Sequence, residues 1–217
     1  KTHENIKTIR PLQDGVIAQA VNDVHAAGVT YFTSAGNFGD KAYEGVFTPA
    51  PAPGSLAGSA HNFGGGDVFQ NINLTPGKYL LVLQWKDDFY SIETNPIGTQ
   101  NDLDIYLTDN VGNPLFGFNR NNSGGDPIEV LPFTVTGNTN ANIVITRTSG
   151  VGTNIRMKYI FFRGTPDITN HIQGTSTIVG QANAIGTITT GAVLYLNTPA
   201  FDVDSITKAS FSSIGGT

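Results

Sequence analysis

Cysteine is absent from the 217 residues. Disulfides, thiolate nucleophiles and Cys-ligated zinc are therefore all excluded. Charge is scarce as well: Asp, Glu, Lys and Arg make up 13% of the chain, about half of the ~25% usual in soluble proteins. The formal net charge of −5 leaves no basic excess for a phosphate backbone, which argues against nucleic acid as a partner. Nor is the charge dense enough for a charge-driven disordered tail, since aromatic residues are 10% of the chain. No apolar run approaches the ~20 residues that cross a bilayer as a helix. Gly, Asn, Thr and Ser fill much of what remains, and such uncharged polar surfaces suit an extracellular or envelope β protein.

Three stretches differ in character. In the first, residues 1–56, Ile17, Ala20, Val21, Val24 and Ala27 recur at helical spacing. Asp14 is the expected N-cap and Gly28 the expected C-cap. A β-branched and aromatic run, Val29-Thr30-Tyr31-Phe32-Thr33, predicts a buried strand that ends in Ser34-Ala35-Gly36-Asn37. Helix, short break and strand make half of a parallel αβ unit, whose chemistry sits at the carboxyl ends of strands. The Pro- and Ala-rich run from Pro49 to Gly54 reads as an extended crossover.

Residues 57–164 lose the helical signal. Short alternating runs recur instead: 67–72, 79–85, 102–108, 115–118, 128–136, 141–148 and 155–162. Turn signals such as Thr75-Pro76-Gly77 and Ser123-Gly124-Gly125 separate them. The spacing predicts an antiparallel β-sandwich. Within it, Leu103, Ile105 and Leu107 alternate with Asp102, Asp104 and Tyr106, as in a half-buried strand. In residues 165–217 the run Thr187–Tyr195 again reads as a buried strand. The predicted fold class is thus α/β, a parallel sheet with helices, interrupted by an inserted antiparallel sandwich.

Candidate chemistry is thin. No Gly-rich loop opens a helix in a phosphate-binding pattern, and His3, His25, His61 and His171 lack metal-ligand spacing. His25 reads as a helix-surface residue, whereas His61 and His171 flank the sandwich and are candidate neighbours in space. Asp102, Asp104, Asp109 and Asn110 offer clustered oxygens of the kind calcium takes, but the preferred reading is a solvated strand face leading into an Asp/Asn/Gly turn. Asp87-Asp88 reads as solvated. Asn73-Leu74-Thr75 and Asn121-Asn122-Ser123 match the glycosylation sequon. Ser176, in Gly174-Thr175-Ser176, is a weak nucleophile candidate without a neighbouring base. Asn37 has two readings: a side-chain amide aimed at developing negative charge, or a turn Asn that tolerates left-handed geometry.

The stretch Ala20–Gly28 followed by Val29–Asn37 resembles the subtilisin-like serine peptidases. So does Gly186–Val193 with the later Ala209-Ser210-Phe211-Ser212-Ser213-Ile214-Gly215. The middle resembles a pre-peptidase C-terminal type of sandwich. The resemblance implies Asn37 as oxyanion donor, Ala35 and Gly36 as backbone wall of the S1 pocket, a peptide substrate, and neither a cofactor nor a committed metal site. It also implies a triad outside this stretch. No Asp-x-Gly or His-Gly-Thr occurs here, and Gly174-Thr175-Ser176 lacks the Ala and Pro of the family's Gly-Thr-Ser-x-Ala-x-Pro. The chain is accordingly expected to be the central piece of a secreted endopeptidase, inactive alone. The competing expectation is a non-enzymatic module binding protein or glycan through exposed aromatics, with Trp85, Phe89, Tyr90, Phe116 and Phe118 as candidates.

Overall fold

The computed structural model describes residues 15–91, 96–150, 152–172 and 176–215. The chain divides into two compact units: residues 43–173, and residues 1–42 with 174–217.

In the first of these units β-branched and aromatic residues at period two build two antiparallel sheets. In chain order the strands are β2 (Ala42–Val46), β3 (Pro49–Pro51), β4 (Ser59–His61), β5 (Gln70–Leu74), β6 (Gly77–Trp85) and β7 (Asp102–Thr108). They continue as β8 (Pro114–Phe118), β9 (Ile128–Val135), β10 (Thr139–Ser149), β11 (Arg156–Arg163) and β12 (Asp167–Ile168). One sheet has four strands in the order β2-β11-β6-β9. The other has seven, with β10 pairing β4, β5 and β7, and β7 pairing β8. A shared core lies between them, with Leu81, Leu83 and Trp85 from β6, Leu103, Ile105 and Leu107 from β7, and Tyr159 and Phe161 from β11.

Two local expectations are revised. All seven residues of β7 are buried, not one face alone. The strand is flanked by β10 and β8, and the Tyr106 ring lies across Gly117, where any Cβ would stand 2.5 Å from it. On the same face of β10, Val144 is covered by Ala60 and Val68. The Pro49–Gly54 run does more than cross over. Pro49–Pro51 forms an edge strand paired with Ser59–His61, where prolines are tolerated because one side needs no N–H.

Among its described residues the second unit holds one α-helix, α1 (Val16–Ala26). It also holds β1 (Tyr31–Ser34) paired in parallel with β13 (Thr187–Thr190), in register Tyr31 with Thr187 through Ser34 with Thr190. Ala18 and Val21 of α1 pack with Ala184 and Tyr31. Of the predicted stripe only Val21 is buried, while Ala20, Val24 and Ala27 are exposed, so the helix buries a different face from the one the spacing predicts. On the other side Phe32 (63% exposed) and Ile188 (48%) are uncovered, so neither strand is the buried one expected. Asp14, the expected cap, lies outside the described residues.

These features overturn the predicted α/β class. Among the described residues the fold is mostly β, 40% strand against 11% helix, with one α-helix and mainly antiparallel sheets. Among the described residues the parallel pairing amounts to a single pair of four-residue strands. The physical reason lies in residues 176–215. Ile178–Ala184, rich in Gly, Ala and Asn, supports only a 3-10 turn at Gly180–Asn183, and Leu194–Phe201 only two more at Tyr195–Asn197 and Pro199–Phe201. Neither stretch carries the sustained apolar periodicity a crossover helix requires.

Candidate functional site

The site begins where β1 stops. Ala35, 6% exposed, donates its N–H to the Thr190 carbonyl at 2.8 Å, extending the parallel ladder by one residue. Gly36 then turns the chain with φ +90, a conformation that a Cβ would oppose. The turn is clamped by a segment far along the sequence. Ser213 donates its N–H to the Gly36 carbonyl at 2.9 Å, and its Oγ accepts the Phe38 N–H at 3.0 Å. The Gly39 N–H goes to the Phe211 carbonyl at 3.1 Å. A Cβ on Gly39 would fall 2.3 Å from the Ser212 carbonyl oxygen, so the approach requires glycine.

The clamping segment is itself held. Ser212 Oγ accepts the Ala192 N–H at 2.9 Å, and Lys208 Nζ donates to the Ala209 and Ser212 carbonyls, each at 3.0 Å. Ile214 exchanges backbone and side-chain hydrogen bonds with Thr177 at 2.8 Å. Between clamped neighbours stands Asn37, exposed to solvent, its side chain making no hydrogen bond among the described residues. Such a donor on a braced turn can meet a developing oxyanion. The Ala35 N–H and Gly36 C=O are committed within the unit, so those groups can present a wall rather than hydrogen bonds. Ser212 and Ser213 were missed as positioning residues. Their one sequence signal was the Ala-Ser-Phe-Ser-Ser run, which carries no hint of which turn it grips.

Other candidates resolve differently. His25 lies exposed on α1 beside Gly186, where a Cβ would stand 2.6 Å from the His25 Cβ. His61 is 2% exposed, accepts the Thr48 N–H on Nδ1 and therefore donates from Nε2 to the Tyr43 hydroxyl at 2.8 Å. Burial, aided by the nearby His171, pulls it down to about 4, so it is a neutral packing residue at pH 7. His171 pairs with Asp67 at 2.9 Å, and its ring and that of His61 both contact Phe63. His3, Gly174 and Thr175 lie outside the described residues; Ser176 is buried.

The acidic residues separate as well. Asp102 accepts the Asn122 N–H at 2.9 Å and the Thr148 hydroxyl at 2.6 Å. Asp109 instead caps its own turn, accepting from Val111 and Asn113, while Asn110 accepts from Asn142. Among the described residues no group of three or more His, Asp or Glu is placed to hold a metal. Asp87 is an anchor rather than a solvated charge: its Oδ2 receives Thr99, the Gln100 N–H and both nitrogens of Asn101. Burial would raise the Asp87 carboxyl, yet these hydrogen bonds hold it below the usual range. Asn73 donates to Asp167 from β5, and Asn121 is exposed in a loop, its Oδ1 accepting the Ser123 N–H. Of the five aromatics considered for binding, Trp85 and Phe89 are buried, Phe116 and Phe118 pack on the core, and Tyr90 alone is exposed.

No family model matches the chain, and no curated protein matches it. Among solved structures, the CspB protease of Clostridium perfringens is similar over 90% of this chain and 41% of that one. The two share 13% identity and a TM-score of 0.35. The chain thus spans under half of that protease structure.

Proposed function

We propose that this chain is part of a subtilisin-like serine endopeptidase and that Asn37 is its oxyanion donor. The observation that supports this reading is the exposed, unpartnered Asn37 amide at the carboxyl end of β1, on a turn braced by Ser213. In acyl transfer the scissile carbonyl oxygen gains negative charge as the nucleophile adds. A donor already fixed in place stabilises that charge without reorganising at the moment of reaction. Ala35 and Gly36 would form backbone wall beside the substrate side chain. The serine, histidine and aspartate would come from chain outside these residues, since a donor assists a nucleophile and base but does not replace them. Secretion or envelope location fits the charge-poor, cysteine-free composition.

The test has two parts. Purified chain incubated with casein and a fluorogenic peptide gives no turnover; cleavage blocked by a serine-directed inhibitor would sink the placement of the triad. In the full-length enzyme, Asn37→Ala lowers kcat by roughly 10²–10³, the range known for losing one oxyanion-hole donor in subtilisin, with a much smaller change in KM. An unchanged kcat rules out the role given to Asn37.

A further inference from the structure

We infer that an open cavity of about 270 Å³ in the sandwich unit binds carboxylates through Arg147. Val46, Phe47 and Pro49 give it an apolar wall, and Arg147, Thr153 and Asn154 give it polar groups. The volume lies near the lower end of small-ligand sites, at roughly 300 Å³, which suits one short side chain or a small acid.

Arg147 is half-buried and held in one plane. Its guanidinium lies over the Phe47 ring at 5.4 Å, and Nη1 donates to the Gly152 carbonyl at 2.6 Å. Its remaining N–H groups have no acceptor among the described residues. Nor does a carboxylate answer its charge, because the ion pairs of the described residues belong to Arg156, Lys158 and His171. A half-buried guanidinium without a counter-charge is poorly compensated, and a carboxylate on its free fork supplies both charge balance and charge-assisted hydrogen bonds. The walls are fixed before a ligand arrives. Phe47 donates its N–H to the Ile155 carbonyl at 2.8 Å, and Asn154 turns the chain at φ +59. This inference is independent of the peptidase proposal and concerns the other unit.

The test uses the whole 217-residue chain, isotopically labelled, with amide resonances followed by NMR. Butyrate is expected to shift Phe47, Gly152 and Thr153 saturably, and butyramide, of nearly the same shape, is expected not to. Arg147→Gln weakens butyrate by about tenfold or more, the loss of a charge-assisted pair. Thr153→Asp, which adds an internal carboxylate at the rim, weakens it similarly and decides the matter should Arg147→Gln unfold. Equal binding of butyramide, or unchanged affinity in both variants, overturns the inference. An acetylated dipeptide with a free C-terminus, set against its amidated form, tells the sources apart. Tighter binding than butyrate by the free form identifies a peptide terminus, and equal or weaker binding a small acid.

Discussion

At the residue scale, Glu129 is a buried carboxyl with both oxygens unpartnered among the described residues. It follows the inward parity of Leu131, Phe133 and Val135 on β9 and is fully buried. Burial, with the Asp104 charge adding to it, pushes the carboxyl up to about 9. The side chain is therefore neutral at pH 7, a buried polar group near the Asp104, Arg120 and Asp102 charges with no hydrogen-bond partner among the described residues. Leaving such a group unsatisfied costs about 1–3 kcal/mol. Glu129→Leu removes the polar atoms at similar volume and is expected to raise stability at pH 8 by about that amount. Urea unfolding of the two proteins at matched slope is the measurement, and a clear loss of stability would mean that the carboxyl has a partner.

At the scale of elements, the turn after β1 depends on a segment some 175 residues away, which reaches it through backbone groups and one hydroxyl. Gly39 is where the two come closest, so Gly39→Ala forces the Ser210–Ser212 backbone aside. A loss of about 2 kcal/mol or more is expected, with faster amide exchange at Phe38 and Ser213. Gly215→Ala in the same segment, where a Cβ meets nothing within 4 Å, serves as the neutral control. These contacts explain what could be read in advance. Strands such as Asp102–Thr108 were legible because β-branched alternation is a local signal, and Ala35-Gly36-Asn37 because its turn chemistry is local. The partners of that turn were not, since no period or spacing links Gly36 to Ser213. The same holds for Arg147 above Phe47 and for the Asp87 anchor, which depend on tertiary approach. The predicted α/β class failed because helix, break and strand at 16–34 is also what a single αβ pair looks like. Nothing local to that stretch says how many parallel strands follow.

For the whole molecule, the buried titratable groups set an unusual dependence of stability on pH. Glu129 titrates at about 9 when folded against 4.5 as a free side chain. Asp104, buried beside the Asp102 charge, titrates at about 7 against 3.8. Both groups hold protons in the native state that the unfolded chain has released, so each stabilises at low pH and loses that contribution as pH rises through its window. His61 works the other way. Its folded value of about 4 lies below 6.5, so the unfolded chain binds the extra proton and stability falls as pH drops through that interval. Between 4.5 and 6.5 two groups favour acidification and one opposes it. Below about 4, Asp67, Asp87 and Asp109, all held below their ordinary value, lose their hydrogen-bonded charged forms and stability declines. Greatest stability is therefore expected near pH 4.5–5, with a fall toward pH 9 from Glu129 and Asp104 that the buried Lys158, held below its ordinary value, opposes at the alkaline end. Reduced self-repulsion near the pI of about 5.2 would slope in the same direction. Thermal melts of the parent chain and Glu129→Leu from pH 5 to 9 separate the two causes. If Glu129 is responsible, the variant flattens most of the fall between pH 7 and 9, whereas a slope due to net charge would survive the substitution.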